Sequence, residues 1–233
     1  MHVPNRDAPA NSLLAALPRK DYRRLIDELE PVALTYSEVL YEPGEKIKYV
    51  YFPTNSLVSL LTLVDQHHAL EVGLVGREGM VGISLAMEIG VSPVRALVQG
   101  TGMAMRMGAA LFLKEFNESN VLRRELHRYT YNLMTQITQT AACNRFHVVE
   151  ARLARWLLMT QDRMQSNQFQ LTQAFLSDML GVRRVGVTKA ACTLQQNKLI
   201  RYSRGKITIL NRKGLEAACC SCYEIVKDMH ESA

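Results

Sequence analysis

Long apolar runs are missing from this sequence of 233 residues: no stretch approaches the roughly 18 uninterrupted apolar residues of a membrane-spanning helix. The start, MHVPNRDAPANSLL, also has no apolar run ahead of a small-residue cleavage site, as a secretory signal would have. The sequence therefore predicts a cytoplasmic protein without a membrane partner. Because 48% of its residues are hydrophobic, the chain can bury a core in one or two domains.

Cysteine does not occur before Cys143, and the total of five is odd, which does not resemble a disulfide framework. The run CCSC, with Cys219, Cys220 and Cys222, could bind a metal or form a redox pair, but no fourth ligand is near in sequence. The surrounding RKGLEAACCSCYEIVKDM also fits one amphipathic helix, which is the interpretation we favour, with no metal site. The apolar face of that helix would hold Leu215, Cys219, Cys222 and Val226.

Acidic residues are almost missing between Leu171 and Lys213, where Asp178 is the single acid against nine basic residues. This window has a net charge of +8 in a chain of +6, so the remainder sums to −2. Since one region carries the positive field, the expected partner is polyanionic. The basic residues are Arg183, Arg184, Lys189, Lys198, Arg201, Arg204, Lys206, Arg212 and Lys213.

The sequence divides into three segments with different patterns of apolar residues. Residues 11 to 30 predict two short helices joined at Pro18. Residues 32 to 107 form brief apolar runs punctuated by turn residues, a pattern typical of an antiparallel barrel or jelly roll. After Gly108 a helical period persists for about 50 residues. The fold class predicted is α+β.

The long helical segment has one apolar face over roughly five turns. Such a face packs either on its own domain or on an identical helix, and we favour a dimer because symmetric dimers are the commonest oligomers. The face consists of Leu122, Leu126, Tyr129, Leu133, Ile137 and Ala141. The polar stretch QDRMQSNQFQ, 161 to 170, predicts a loop beyond it.

The stretch LSDMLGVRRVGVTKA, 176 to 190, predicts two helices joined at Gly181, the first capped by Thr172 and the second starting at Arg183. Adjacent arginines at a helix N-terminus are unfavourable unless an anion docks there. Duplex DNA supplies phosphates for the helix and guanine acceptors for the guanidinium groups. The outward positions are Arg183, Arg184, Val185, Thr188 and Lys189.

The segment LIRYSRGKITILN alternates as two short strands around Ser203, which predicts a hairpin tipped by Arg204 and Lys206. A basic hairpin beside a reading helix is the shape of a wing that holds phosphate. Together with the charge block, it predicts DNA binding.

The motif LTQAFLSDMLGVRRVGVTKAACTLQQNKLI, the phrase VLYEPGEKIKYVYFPTNSLVSL and the long helix between them resemble the Crp/Fnr family of bacterial transcription regulators. The resemblance implies a cyclic-nucleotide-binding-like β-roll with N-terminal helices at 1–115, a dimerisation helix at 116–147 and a winged helix-turn-helix at 148–233. It also implies a homodimer on a near-palindromic operator of double-stranded DNA, and RNA polymerase as a further partner.

By position, the resemblance assigns base reading to Arg184, Val185 and Lys189, and phosphate contact to Thr172, Gln173 and Arg183. Val185 departs from the acidic residue of the best-known members. An acid accepts from cytosine N4, whereas valine offers only apolar contact, for example to a thymine methyl. The operator of those members is therefore not expected here.

The effector cassette departs further. Family members that bind cyclic nucleotides have a Gly-Glu pair and an Arg-Ser/Thr-Ala run, whereas here Gly82 precedes Ile83 and Ser84, and Arg95 stands one position late. One residue of shift turns a strand side chain to the opposite face. We expect no binding of cyclic AMP, and the effector stays unnamed.

The sequence gives little support for an iron-sulfur cluster, a haem or an enzymatic site. The N-terminal cysteines of the family's iron-sulfur members are missing, and no single histidine is marked as a haem ligand. His67 and His68 are adjacent, so a regular strand would point them to opposite sides. We therefore expect no cofactor and no enzyme. The alternative function is a small-molecule or redox sensor acting mainly through protein contacts.

Overall fold

The structure, a computed structural model, describes residues 11–64 and 69–231. By packing, these residues divide into two compact units. The first unit comprises residues 11–58 and 75–131, and the second comprises 59–64, 69–74 and 132–231. The domain boundaries expected at 115 and 147 stay a prediction. His2, His67 and His68 lie outside the described residues.

The first unit begins with helices α1 (Ser12–Ala15) and α2 (Arg19–Ile26), and Pro18 is the N-cap of α2. Two helices divided at this proline are therefore confirmed. Asn11 caps α1 by accepting from the N–H of Leu14. Leu14 and Leu25 are buried, so both helices pack their apolar side inward.

Seven short strands follow, as the alternation of apolar runs and turns predicts. The strands are β1 (Glu30–Leu34), β2 (Val39–Tyr41), β3 (Tyr49–Pro53), β4 (Leu57–Leu63), β5 (Ala69–Val75), β6 (Arg95–Gly100) and β7 (Gly102–Gly108). One antiparallel sheet has the order β1-β7-β3, and a second sheet has the order β2-β6-β4-β5, in which β2 and β6 pair antiparallel. A 3₁₀ helix, Ile83–Met87, lies between β5 and β6. The predicted α+β class with an N-terminal β-roll is confirmed.

The helical segment after Gly108 is divided into several helices rather than one, and the first two are α3 (Ala109–Glu118) and α4 (Asn120–Phe146). Ser119 is in the extended region and accepts from the N–H of Leu122 through its hydroxyl, as an N-cap does. The break therefore has a local cause that the apolar periodicity does not show.

The apolar face of α4 packs within the chain itself. Leu122, Leu126, Tyr129 and Leu133 are at most 6% exposed, Ile137 is half-buried and Ala141 is exposed. Four of the six residues that we expected in an interface between identical helices are thus already buried in the single chain. The alternative interpretation, a helix packed on its own domain, is the one that this burial supports.

The second unit is organised around α5 (Val149–Met164), in which ten consecutive or near-consecutive residues are buried on every side. A helix that is buried on every side lies inside a core. Its buried residues nevertheless include Arg152, Arg155 and Arg163. Leu153 and Leu157 are fully buried, as are Val187 and Leu194 of the helix α7 described below. The prediction of a loop at 161–170 is wrong, because this segment contains the end of α5 and a strand, β8 (Gln168–Gln170).

The C-terminal segment is not the single amphipathic helix that its pattern predicts. It forms α8 (Arg212–Ala218) and α9 (Cys222–Glu231), with Cys219 extended between them. Leu215, Cys222 and Val226 are buried as expected, while Cys219 is half-buried. Among the described residues, no helix has the length and apolarity that a membrane span requires.

Candidate nucleic-acid interface

Two helices in the second unit, α6 (Gln173–Leu180) and α7 (Arg184–Gln196), meet at a tight turn. Gly181 has φ 59°, the left-handed conformation that favours glycine, and its N–H donates to the carbonyl of Asp178. The N–H of Val182 donates to the carbonyl of Ser177 over 3.0 Å, and the Ser177 hydroxyl returns a hydrogen bond to the Val182 carbonyl. The turn is therefore closed from both sides.

Three leucine and methionine side chains of α6 and four apolar side chains of α7 fill the inside of this pair. The buried residues are Leu176, Met179, Leu180, Val187, Ala190, Ala191 and Leu194. Phe175 and Val182, two other apolar residues of this region, are half-buried. Because the apolar faces of both helices point inward, the remaining face of α7 lies at the surface.

The first turn of α7 presents cationic and apolar groups to solvent. Arg183 is the N-cap but makes no side-chain capping bond, and the first turn contains no acid. Arg184 and Lys189 are exposed, and Val185 is 67% exposed. Thr188 is half-buried, with its hydroxyl donating to the Arg184 carbonyl. A helix start with uncapped N–H groups and adjacent guanidinium groups attracts anions.

Thr172 and Gln173 lie at the other helix start, and both are exposed. The Thr172 hydroxyl oxygen accepts from the N–H of Phe175 over 3.1 Å, which confirms the predicted cap. The hydroxyl hydrogen is not used in that bond, so the same group can still donate to a phosphate oxygen.

A three-stranded sheet, β8-β10-β9, adjoins these helices, with β9 at Ile200–Ser203 and β10 at Lys206–Ile209. Arg204 (φ 50°) and Gly205 (φ 75°) form the two-residue turn between β9 and β10, as in tight hairpins of the primed type. The Gly205 carbonyl accepts from the N–H of Leu171 over 2.6 Å. The hairpin tip is thereby fixed beside the start of α6, with Arg204 and Lys206 exposed.

The basic residues of this region differ in how they are used. Arg212 is half-buried, and its guanidinium donates to Asp162 over 2.7 Å and to Glu216 over 2.8 Å. It stabilises the domain and is not available to a ligand. The other eight basic residues between 171 and 213 are exposed, and none of them forms an ion pair with a residue that the structure describes.

The residues assigned to an effector pocket all belong to the first unit, and the polar side chains among them, Ser84 and Arg95, already form hydrogen bonds. Gly82 has φ 98°, and the Tyr41 hydroxyl is 3.1 Å from where its Cβ would be. Ile83 is half-buried, and the Ser84 hydroxyl donates to the Val91 carbonyl over 3.2 Å. The Arg95 guanidinium donates through Nε to both carboxylate oxygens of Glu42, over 3.1 and 2.9 Å.

Sequence reasoning missed a buried carboxyl group in the second unit. Glu71 of β5 is 6% exposed, and its oxygens accept from the Ser59 hydroxyl over 2.7 Å and from the Trp156 indole N–H over 2.8 Å. Burial raises the pKa of Glu71 to about 7, although these hydrogen bonds act in the opposite direction. In sequence, its only signal is an acid between two apolar residues of a short strand.

A second missed residue is Arg152 of α5. It is 6% exposed, and its guanidinium donates to the carbonyl of Leu180, at the end of α6, and to Oδ1 of Asn144 over 2.7 Å. Burial lowers the pKa of Arg152. This contact holds the last turn of α6 just before Gly181, and no sequence motif marks it.

The elements from α6 to β10 thus define a winged helix-turn-helix domain with a cationic outer face, a class of DNA-binding domain. Residues 151–218 match the family model of the Crp-like helix-turn-helix domain. No curated protein sequence matches the chain.

Solved structures extend the similarity to most of the chain. A regulator of the Crp/Fnr family from Eubacterium rectale is 16% identical, with 90% of this chain and 98% of the other covered and a TM-score of 0.70. FixK2 from Bradyrhizobium japonicum is 15% identical, with 82% and 98% covered and a TM-score of 0.69. The c-di-GMP responsive regulator CLP of Xanthomonas campestris is 15% identical, with 82% and 99% covered and a TM-score of 0.67.

At these identities the structural likeness establishes the fold, and the family model establishes the helix-turn-helix. The resemblance to the Crp/Fnr regulators is thereby confirmed.

Proposed function

We propose that the protein is a sequence-specific transcription regulator that binds double-stranded DNA as a homodimer. The observation that carries this proposal is the first turn of α7, where Arg183, Arg184 and Val185 are exposed without an acid or a side-chain cap. Such a turn fits the major groove, where guanidinium groups contact guanine O6 and N7 and an apolar side chain contacts a thymine methyl. Binding rather than catalysis is the activity that follows.

The remaining contacts are expected to be with phosphates. Thr172 and Gln173 lie at the start of α6, and Arg204 and Lys206 lie at the wing tip beside it. Contacts of this kind position a protein on the duplex without carrying sequence information. We thus assign base specificity to Arg184, Val185 and Lys189. The base-reading residues and the phosphate-contacting residues both contribute to affinity.

The homodimer requires a surface other than the buried face of α4. Exposed residues recur along this helix at intervals of three or four, and apolar side chains are among them, with Tyr131 at 68% and Met134 at 62% exposure. Ala141 and Ala142 continue the same exposed stripe. We assign the dimer seam to this stripe, because binding of two half-sites about one DNA turn apart, or a multiple of it, requires two copies of the reading helix.

Cyclic AMP is not the effector in this proposal. The side chain at the glutamate position, Ile83, cannot accept a hydrogen bond from a ribose hydroxyl. Arg95, which stands one position from the family's phosphate-binding arginine in sequence, forms two hydrogen bonds with Glu42. A nucleotide phosphate would have to displace this carboxylate, so isothermal calorimetry with cyclic AMP is expected to show no tight binding.

To test the proposal, DNA duplexes are selected from a random pool with the purified, ligand-free protein. The affinity of the protein for the enriched duplexes is then measured by fluorescence anisotropy. A near-palindromic consensus bound at nanomolar strength supports a dimeric regulator that needs no effector for binding. A consensus with a single half-site contradicts the dimer. Failure to enrich any sequence at low and moderate salt contradicts specific recognition, and leaves the alternative of a sensor acting through protein contacts.

Regulation of transcription also involves RNA polymerase, which we propose as the protein partner in the cytoplasm. A reconstituted transcription assay on a promoter carrying the selected consensus measures this interaction. The expected result is a change in transcript level that depends on the consensus.

A further inference from the structure

Four metal-ligating side chains from distant parts of the sequence meet in the second unit: Cys143, His147, Cys220 and Cys222. Cys143 and His147 are four residues apart at the end of α4, where the N–H of His147 still donates to the Cys143 carbonyl, so both lie on one helix face. Cys220 lies in the break between α8 and α9, and Cys222 is the first residue of α9. The sequence pattern CCSC supplies half of the set, and the fold supplies the other half.

The spacing of the four groups approaches that of a tetrahedral site. The Cys143 and Cys220 sulfur atoms are 3.5 Å apart, and the Cys222 sulfur is 3.4 Å from Nδ1 of His147. A zinc ion with bonds of about 2.3 Å to sulfur and 2.0 to 2.1 Å to nitrogen needs ligand atoms roughly 3.6 to 3.8 Å apart. All four ligand atoms lie within 4.8 Å of one another, so closing the site requires movements of about 1 Å.

The surroundings are those of a small closed centre rather than of ordinary apolar packing. Cys143, Cys220 and Cys222 are 0%, 8% and 1% exposed, and they form a buried cluster against which the partly buried Ala151 packs. Among the residues that the structure describes, no large apolar side chain belongs to this cluster, so it consists mainly of the three sulfur atoms.

Charge around the cluster is positive. Arg152 and Arg155 are each 6% exposed and lie within electrostatic range of the Cys143 and Cys220 sulfur atoms. The Nε atoms of both arginines are buried without a hydrogen-bond partner among the described residues. A Zn²⁺ ion with three thiolates has one net negative charge, and a buried charge of this kind needs cationic neighbours.

An amide donor completes the surroundings. Nε2 of Gln139 donates to the Cys222 sulfur over 3.0 Å. Hydrogen bonds from neighbouring side chains orient metal ligands and stabilise thiolates in metal sites. Gln139 lies one helical turn before Cys143 on α4, so the same helix provides two ligands and this donor.

We propose that Cys143, His147, Cys220 and Cys222 bind one Zn²⁺ ion per chain in a closed tetrahedral site. With all four positions filled by protein, the site is structural and leaves no position for water or substrate. It fastens the break between α8 and α9 to the end of α4. This assignment replaces our sequence-based preference for a purely amphipathic helix at 212 to 229 without a metal, and it does not depend on the proposed DNA binding.

A disulfide is the competing use of the same thiols. The Cys143 and Cys220 sulfur atoms are 3.5 Å apart, compared with about 2.05 Å in a disulfide. A single bridge leaves Cys222 and His147 without a role. The two assignments differ in mass, because a disulfide removes two hydrogen atoms from the reduced chain whereas zinc binding can be reversed by acid without oxidation.

The full-length protein, purified under reducing conditions, is analysed for zinc by plasma mass spectrometry. The expected content is close to one zinc per chain. Cys220→Ser is expected to lose most of it, while Cys219→Ser and Cys192→Ser retain it. These are matched controls, because Cys219 is adjacent in sequence but outside the cluster and Cys192 is exposed on α7.

A milder variant separates metal binding from folding. His147 is half-buried, so His147→Gln is expected to keep the circular dichroism spectrum of the wild type. It should lose zinc to a chelator at least about tenfold faster, since even outer groups around a site change metal affinity 10- to 100-fold. Substitution of Co²⁺ for zinc should give the visible bands of tetrahedral thiolate coordination in the wild type, and weakened or shifted bands in His147→Gln.

Three results overturn the proposal. The first is wild-type protein without zinc or a tetrahedral Co²⁺ spectrum after reconstitution under reducing conditions. The second is equal metal content in Cys219→Ser and Cys220→Ser. The third is a native mass that shows a Cys143–Cys220 disulfide in freshly isolated protein.

Discussion

The indole N–H of Trp156 donates to Oε1 of Glu71 over 2.8 Å, and both side chains are buried. A carboxyl group in this position is more easily protonated than in water, because burial disfavours its charged form. The two residues are far apart in sequence, one on the strand β5 and the other on the helix α5. Burial of the Glu71 carboxyl group, rather than its hydrogen bond with Trp156, is expected to make the stability of the second unit depend on pH.

The first prediction is that protonation of Glu71 stabilises the fold. Its pKa rises from 4.5 to about 7, so between these values the folded protein binds more protons than the unfolded chain. Stability from this group is present at low pH and falls as pH rises through that interval, by about 3 kcal/mol in total. Glu71→Gln keeps the shape of the acid but cannot ionise; its amide oxygen can accept from the Trp156 indole, and its NH₂ group can donate to the Ser59 hydroxyl oxygen.

Urea unfolding at pH 5 and pH 7.5 measures this effect. The wild type should lose roughly 2 to 3 kcal/mol more than Glu71→Gln between the two values. Equal losses in both proteins would show that Glu71 is ionised in the fold at pH 5.

The second prediction concerns base reading by Arg184. Arg184→Ala should weaken binding to the selected consensus by roughly 1 to 3 kcal/mol and relax the preference at one base position. The control is Lys213→Ala, which removes an exposed charge from the same basic region but lies at the start of α8. Anisotropy against the consensus and single-base variants measures both. An equal loss of affinity for all sequences would show that Arg184 contacts phosphates rather than a base.

The third prediction concerns phosphate contact by the wing. Arg204 has φ 50°, a left-handed conformation that asparagine adopts with little strain, so Arg204→Asn removes the charge and retains the turn. Affinity should fall about equally for all sequences, and the slope of log affinity against log salt should become less steep by about 1. An unchanged salt slope would exclude this contact. As a control for folding, the free energy of unfolding of Arg204→Asn in urea should equal that of the wild type.

Much of the fold could be predicted from local patterns. The cap at Thr172 and the break at Pro18 depend on residues within a few positions of each other, and so does the glycine turn at Gly181. The short strands follow from apolar runs between turn residues. For the same reason, the exposed face of α7 could be predicted: it is what remains when the apolar residues of one helix are turned inward.

The parts that could not be predicted depend on contacts between distant segments. Periodicity shows that Leu122, Leu126 and Leu133 share a face of α4, but not whether that face meets the same chain or another. The four groups of the zinc site are divided between residues 143–147 and 220–222, and no spacing rule connects them. Glu71 likewise has an unremarkable sequence position, and only the fold shows its burial.

The last prediction follows from the buried face of α4. If the chain dimerises through this helix, the seam has to use side chains that the single chain leaves exposed, and Met134 is the central apolar one, at 62% exposure. Met134→Glu places a charge in a symmetric seam next to its own copy, which costs several kcal/mol when like charges face each other. Sedimentation equilibrium should show a monomer with unchanged circular dichroism, together with weaker binding to the two-half-site consensus and little change for an isolated half-site. Leu210→Glu is the matched control, because Leu210 is a similarly exposed apolar residue, at 49%, outside α4. A Met134→Glu protein that stays dimeric would move the interface off this helix face.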